Sequence, residues 1–298
     1  MMQEKTLIVI AGPTGVGKTA AAIKIARALG TEIISADSRQ IFREIPIGTA
    51  APTADEQALA KHHFVGFKSI TDYYSAAEFE TDVLALLPSL FAKSDYAVMC
   101  GGSMLYVDAV CKGIDQMPTI SNEVREKVLR QYHECGIECI IAQLELLDPD
   151  YLKIVDIKNE KRLLHALEIC LQAGVPYSSL RTGQVKPRPF KIVKIGLDMP
   201  REELFGRINR RVDAMIDAGL VEEARSVYPQ RHLNSLNTVG FKEMFAWIDG
   251  EMDFITARER IKKNTRVYAK RQLTWYSKDP AMKWFHPCEV ENILSELI

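Results

Sequence analysis

No run of apolar residues in this chain approaches the roughly 20 that a bilayer-spanning helix needs. The longest near the N-terminus is Leu7–Ala11, and a glycine-rich turn follows it at once. Neither a membrane anchor nor a signal peptide is expected. Cysteine is sparse: six residues, without paired C-x-x-C zinc spacing and without the density of a disulfide-held secreted scaffold. A reducing cytoplasm is the expected setting. Cys135 and Cys139, with His133, lack a second ligand pair and read as packing residues of a helix. The 17 glycines and 13 prolines show no collagen-like or low-complexity bias. Neither sign of charge dominates: the net charge is −1, so the overall basicity common in nucleic-acid binders is missing. What is present, 47% hydrophobic and 26% charged residues in 298, suits about two globular domains or one with a sizeable insertion.

The charge is unevenly placed. Between Arg258 and Lys278, eight cations stand against Glu259 alone, a local charge of +7. A second stretch, Arg181, Lys186, Arg188, Lys191 and Lys194, contains no acid. The first reads as a helix on which Ile261, Tyr268 and Trp275 recur every seven residues, while Lys262, Arg266 and Lys270 line another face. That face is either a solvated surface or a partner for a polyphosphate backbone; the aromatic residues Tyr268, Trp275 and Tyr276 read as core.

The chemistry begins at the N-terminus. Thr6–Ala11 reads as a buried strand, an alanine-rich helix runs to about Leu29, and between them stands Gly12-Pro13-Thr14-Gly15-Val16-Gly17-Lys18-Thr19. Strand, G-x-x-x-x-G-K-T and helix in that order form a P-loop. Its backbone N–H groups curl around phosphate oxygens, the helix N-terminus adds positive charge, Lys18 supplies a full cation and the Thr19 hydroxyl suits Mg²⁺. The motif specifies a di- or triphosphate and leaves the reaction open.

A second strand, Glu32–Ala36, ends in Asp37-Ser38-Arg39-Gln40, and strand ends of such sheets converge on the phosphate site. Asp37 can serve as an outer ligand of Mg²⁺, a general base or a helix N-cap. A third strand, Tyr96–Cys100, runs into Gly101-Gly102-Ser103 with no acid at its end, which weakens a nucleotide-hydrolase reading. A fourth strand is expected over Ile192–Asp198. Helical spacing over Ser121–His133, Ile137–Leu147 and Glu160–Ala173 marks an insertion. The expected architecture is α/β: a P-loop NTPase-like parallel sheet flanked by helices, with core segments 1–117 and 191–298 and a helical insertion at 118–190. Arg201–Ala218 reads as a helix carrying Arg207, Arg210 and Arg211 on one surface.

Taken in order, these motifs resemble the tRNA dimethylallyltransferase (isopentenyltransferase) family: the P-loop, Asp37-Ser38-Arg39-Gln40-Ile41-Phe42, Ile47-Gly48-Thr49-Ala50, Tyr74-Ser75-Ala76, Gly101-Gly102-Ser103-Met104-Leu105-Tyr106 and Ala269-Lys270-Arg271-Gln272-Leu273-Thr274-Trp275. The likeness spans nearly the whole chain. It implies transfer of a dimethylallyl group from dimethylallyl diphosphate to N6 of the adenosine immediately 3′ of certain tRNA anticodons, releasing diphosphate. By this resemblance Gly12–Thr19 and Arg211 hold the diphosphate, with Mg²⁺ on Thr19, and Lys18, Thr19 and Asp37 are catalytic. Asp37 becomes the general base toward a poor nucleophile, an exocyclic amine.

The resemblance also places tRNA contacts at Asp37, Ser38, Arg39, Gln40, Ser103, Arg125, Lys161, Arg162, Leu163, Leu164, His165, Asn237, Gly240, Lys242, Lys270, Arg271 and Gln272. These would receive the anticodon stem-loop with its target base extruded. Three departures stand out: Ser103 where Thr is common, Phe241 where Tyr is common, losing a hydroxyl directed at the RNA, and His165 where Arg is frequent. A zinc module of the kind carried by many eukaryotic relatives is missing, which implies the compact bacterial form. A cytoplasmic monomer is expected, with a P-loop kinase or nucleotide hydrolase as the alternative.

Overall fold

The structure, a computed structural model, describes residues 4–297; residues 1–3 and 298 of the expected core lie outside the described residues. The first half contains β1 (Thr6–Ala11), α1 (Lys18–Ala28), β2 (Ile33–Ser35), α2 (Ala54–Leu59), β3 (His62–His63), α3 (Ala76–Phe91), β4 (Tyr96–Cys100) and α4 (Met104–Lys112). Four helices follow without a strand: α5 (Asn122–Leu147), α6 (Pro149–Leu152), α7 (Glu160–Ala173) and α8 (Tyr177–Leu180). The chain then forms β5 (Lys191–Leu197), α9 (Arg201–Asp217), α10 (Leu220–Val227), α11 (Phe241–Ile248), α12 (Phe254–Tyr276), β6 (Met282–Phe285) and α13 (Val290–Leu297).

Two compact units result, Met1–Cys111 with Pro187–Ile298, and Lys112–Lys186. In the first, six parallel strands lie in the order β3-β2-β4-β1-β5-β6. The central strand β1 is buried throughout, and from Leu7 to Ala11 its sequence is continuously apolar rather than alternating. Ile8 and Ile10 face one side, against Ile25 of α1 and Ile208 of α9, while Leu7 and Val9 face the other, against Phe79 and Val83 of α3 and Val110 of α4. A third cluster joins Ile41 and Ile45, beyond β2, to Val212, Leu220, Phe241, Met244 and Ile261 of α9 to α12. This helical lobe extends the core beyond the C-terminal ends of the strands.

The second unit is all helical. Gly136, with φ 79 and ψ −174, breaks α5 into the two expected segments. Val128, Ile140, Leu144, Leu163 and Leu167 form its core. Asp148, only 1% exposed, caps α6 through Tyr151 N–H at 3.1 Å and accepts both the N–H and the hydroxyl of Ser178 at 2.6 Å. The unit starts and ends a few residues before the expected 118–190. Its ends are tied by Lys186 N–H to the Lys112 carbonyl, 2.7 Å, and by the Lys186 ammonium to the Ile114 carbonyl, 2.7 Å, in irregular segments whose sequence carries no periodicity. No helix among the described residues is long and apolar enough to cross a membrane.

Candidate active site

The loop between β1 and α1 sits at the C-terminal edge of the sheet and is locked from three sides. The Lys18 ammonium folds back onto the Gly12 and Pro13 carbonyls at 3.0 and 2.9 Å. Burial, more than the neighbouring Arg211, lowers its pKa to about 8. From α9, Arg207 donates through Nε to the Gly15 carbonyl at 3.0 Å, and Arg211 donates through Nη2 to Thr14 Oγ1 at 2.6 Å. Arg211 Nε is buried and has no hydrogen-bond partner among the described residues, a donor held ready in a confined place. From α12, Gln272 accepts Thr14 N–H and donates to the Gly102 carbonyl, each at 2.8 Å.

Asp37 follows β2. Its Oδ1 accepts the N–H groups of Arg39 at 2.9 Å and Gln40 at 3.3 Å, an Asx-type turn, while Oδ2 accepts no hydrogen bond among the described residues. One oxygen is therefore fixed and the other is free. The turn rests on the end of β4: Ser38 N–H donates to Ser103 Oγ at 2.8 Å, and the Ser103 hydroxyl donates to Ser38 Oγ at 3.1 Å. Close approach explains Gly101, where a Cβ would lie 2.1 Å from the Ala36 carbonyl oxygen.

Two cavities meet here. The larger, of about 680 Å³, is lined by Thr14, Gly15, Lys18 and Thr19 of the loop region, by Arg207 of α9 and by Pro46, Ile47 and Ala51. The smaller, of about 360 Å³, is lined by Ser38, Arg39, Ser103, Asn237, Gly240 and Lys242. Both volumes lie within the range of about 300–1,000 Å³ for small-ligand sites. Thr14, Asp37, Arg211 and Tyr268 line both. Burial pushes the Tyr268 hydroxyl up to about 12 and the Cys100 thiol, at the end of β4, up to about 12, so both stay neutral donors.

Several expected residues take other positions. Leu163 is fully buried in the helical core, where it cannot touch a ligand, because the α7 face carrying it packs on α5. Gln272 is 1% exposed and clamps the P-loop, whereas Lys270 and Arg271 beside it are exposed. Arg39 donates through Nη1 to the Asn234 and Ser235 carbonyls at 2.9 and 3.0 Å, and so ties the helical lobe to the Asp37 turn. Phe241 is fully buried, so this position faces the core and not a ligand. Trp275, expected in the core, is 40% exposed, with its indole N–H on Asp108.

Gly240 lies at the buried floor of the smaller cavity, with Asn237 and Lys242 exposed at it. Arg125, Lys161, Arg162 and His165 are exposed on the helical unit and Leu164 is half-buried. Sequence reasoning gave no part in the cavities to Arg207 or Tyr268. The spacing of Arg207 and Arg211, one helical turn apart, was the available signal.

A phosphate-cradling loop at the carboxyl edge of a parallel sheet, opening beside a second polar cavity, defines a P-loop α/β protein with room for two substrates. The IPP transferase family model matches residues 40–279. The chain is 54% identical over 296 residues to tRNA dimethylallyltransferase 1 of Bacteroides fragilis, covering 99% of this chain and 98% of that protein. It is 55% identical over 289 residues to the protein of the same name from Phocaeicola vulgatus, covering 97% and 96%. Among solved structures, the full-length tRNA isopentenylpyrophosphate transferase from Bacillus halodurans matches 99% of this chain and 96% of its own, with TM-score 0.72 and 32% identity. A eukaryotic dimethylallyltransferase acting on tRNA matches 91% of this chain and 69% of its own, with TM-score 0.77 and 27% identity. The chain belongs to the IPP transferase family.

Proposed function

We propose that this protein transfers a dimethylallyl group from dimethylallyl diphosphate to N6 of the adenosine immediately 3′ of the anticodon in tRNA, releasing diphosphate. The observation that carries this reading is the meeting of a P-loop cavity and a second polar cavity at Asp37 and Arg211. The names of the relatives supply the prenyl and tRNA chemistry.

In this reading the donor diphosphate lies against the P-loop N–H groups, Lys18, Arg207 and Arg211. As the allylic C–O bond breaks, negative charge grows on the diphosphate, and cations already fixed by Thr14 and Gly15 meet it without reorganising. The N6–C bond forms from the other cavity, and Asp37 Oδ2 takes the N6 proton. Mg²⁺ is the expected counterion. Thr19 lines the donor cavity, and its hydroxyl would hold the ion there beside the diphosphate. When bound, it neutralises part of the leaving-group charge.

Ser38, Ser103, Asn237 and Lys242 receive the extruded base and its flanking backbone. Lys270 and Arg271, and on the helical unit Arg125, Lys161 and Arg162, supply cations for tRNA phosphates, with His165 beside them as a polar contact. In this reading the protein acts as a monomer in the cytoplasm.

The test incubates the protein with labelled dimethylallyl diphosphate, Mg²⁺ and unmodified tRNA, with ATP in a parallel reaction. Label entering tRNA, with no phosphate leaving ATP, is the expected result. Phosphate released from ATP with the tRNA unlabelled would make this a kinase-like enzyme and sink the reading.

A further inference from the structure

Part of the wall between the two cavities is the turn Thr49–Ala50, which lines both beside Asp37 and Arg211. Ala50 adopts φ 49, a left-handed conformation that costs a residue with a Cβ; Ala50 N–H on the Ile47 carbonyl and Ala51 N–H on the Pro46 carbonyl, each 2.9 Å, hold the turn locally, and side chains from elsewhere in the chain add to them. Support comes from two directions. On one side the Gln40 amide donates to the Thr49 and Ala50 carbonyls at 3.3 and 2.9 Å, and Gln40's own N–H donates to Asp37 Oδ1. On the other, Glu223 of α10 accepts Ile47 N–H at 2.8 Å and Gly48 N–H at 2.6 Å, one on each carboxylate oxygen.

Glu223 is only 9% exposed and pairs with no cation among the described residues. A buried carboxylate without a counter-charge is costly, and the two backbone N–H groups are what it holds in return. Gly48 leaves the loop no slack: a Cβ there would lie 2.4 Å from the Phe241 ring. The loop is thus pinned between a charged staple and an aromatic wall, immediately before the turn that separates the cavities.

We propose that Glu223 is a positioning residue for the transfer reaction, fixing Ile47 and Gly48 and thereby the Thr49–Ala50 wall and, through Gln40, the orientation of Asp37. The inference rests on the prenyl-transfer reading. Glu223 touches neither substrate; it acts by keeping the reacting atoms of both within the narrow range that transfer demands, where a 1 Å displacement can cost about a hundredfold.

The test is Glu223→Gln, which preserves shape but turns an amide NH₂ toward a backbone N–H. Transfer kinetics, calorimetric binding of inorganic diphosphate, thermal melting and the amide resonance of Gly48 in glycine-labelled protein are read together. The expected result is an upfield move of the Gly48 N–H, a fall in kcat of about ten- to hundredfold, and unchanged diphosphate affinity. Glu223→Asp, which keeps the charge but reaches one N–H only, is expected to retain more of kcat, and it carries the test if the first variant does not fold.

A displaced Gly48 resonance with wild-type kcat would overturn the proposal. So would a loss of kcat matched by an equal loss of folded protein. Wild-type protein that prenylates no tRNA would sink the functional reading instead, and the resonance shift would still report whether the staple exists.

Discussion

Lys18 is a cation at the half-buried wall of the donor cavity, and among the described residues the Gly12 and Pro13 carbonyls hold its ammonium. Its pKa of about 8 lies below the ordinary lysine value. Between those two values the unfolded chain binds more protons than the folded one, so stability rises with pH across that window. Lys18→Met is therefore expected to melt higher relative to wild type at neutral pH than at alkaline pH, the difference shifting as pH passes about 8; melting both proteins from pH 7 to 10 checks it. A difference independent of pH would mean that Lys18 is solvated. The P-loop cation was legible in the sequence because the motif prescribes it. The orientation of Gln272 was not, because neighbouring helix positions differ only in which side faces the core, and here Gln272 turns in while Lys270 and Arg271 turn out.

At the scale of elements, the P-loop owes its shape to two distant helices as much as to its own glycines. Gln272 of α12 satisfies Thr14 N–H and the Gly102 carbonyl inside a buried environment. Gln272→Leu would leave both without that partner, at a cost of about 1–3 kcal/mol for each group left unsatisfied. Lower stability in denaturant titration together with weaker diphosphate binding is expected; stability lost with diphosphate binding intact would show that α12 does not shape the loop. Strand β4 and helix α7 have the bounds their apolar spacing gives in the sequence, Tyr96–Cys100 and Glu160–Ala173. The two-residue β3 and the edge strand β6 carry too little apolar pattern to be seen. The lobe of α10 and α11 was hidden for another reason: each has eight residues, and their apolar faces make sense only against Ile41 and Ile45 from far along the chain.

For the whole molecule, the basic stretch of the sequence is less free than its count of charges suggests. Arg258 and Lys262 pair with Asp213 at 2.6 and 3.0 Å, so part of that positive charge is already answered within the fold, while Arg260, Lys263, Lys270 and Arg271 stay exposed. The exposed cations of the helical unit, of which Arg125 lies 3.8 Å from Glu168, add to these for a polyanion. Replacing Arg125 and Lys161 together by Ala is expected to weaken tRNA binding and to flatten its dependence on log salt by about 0.7–0.9 for each phosphate no longer neutralised, with inorganic diphosphate binding unchanged. Equal salt slopes for the variant and wild type would remove the helical unit from tRNA binding. The decisive measurement is single-turnover transfer by Asp37→Asn, with donor and tRNA binding measured on the same preparation. A base at Asp37 predicts a rate lower by about 10²–10⁴ with both substrates still bound. A wild-type rate, or a fall explained wholly by failure to bind one substrate, would contradict the assignment of Asp37 as the base at the meeting of the two cavities.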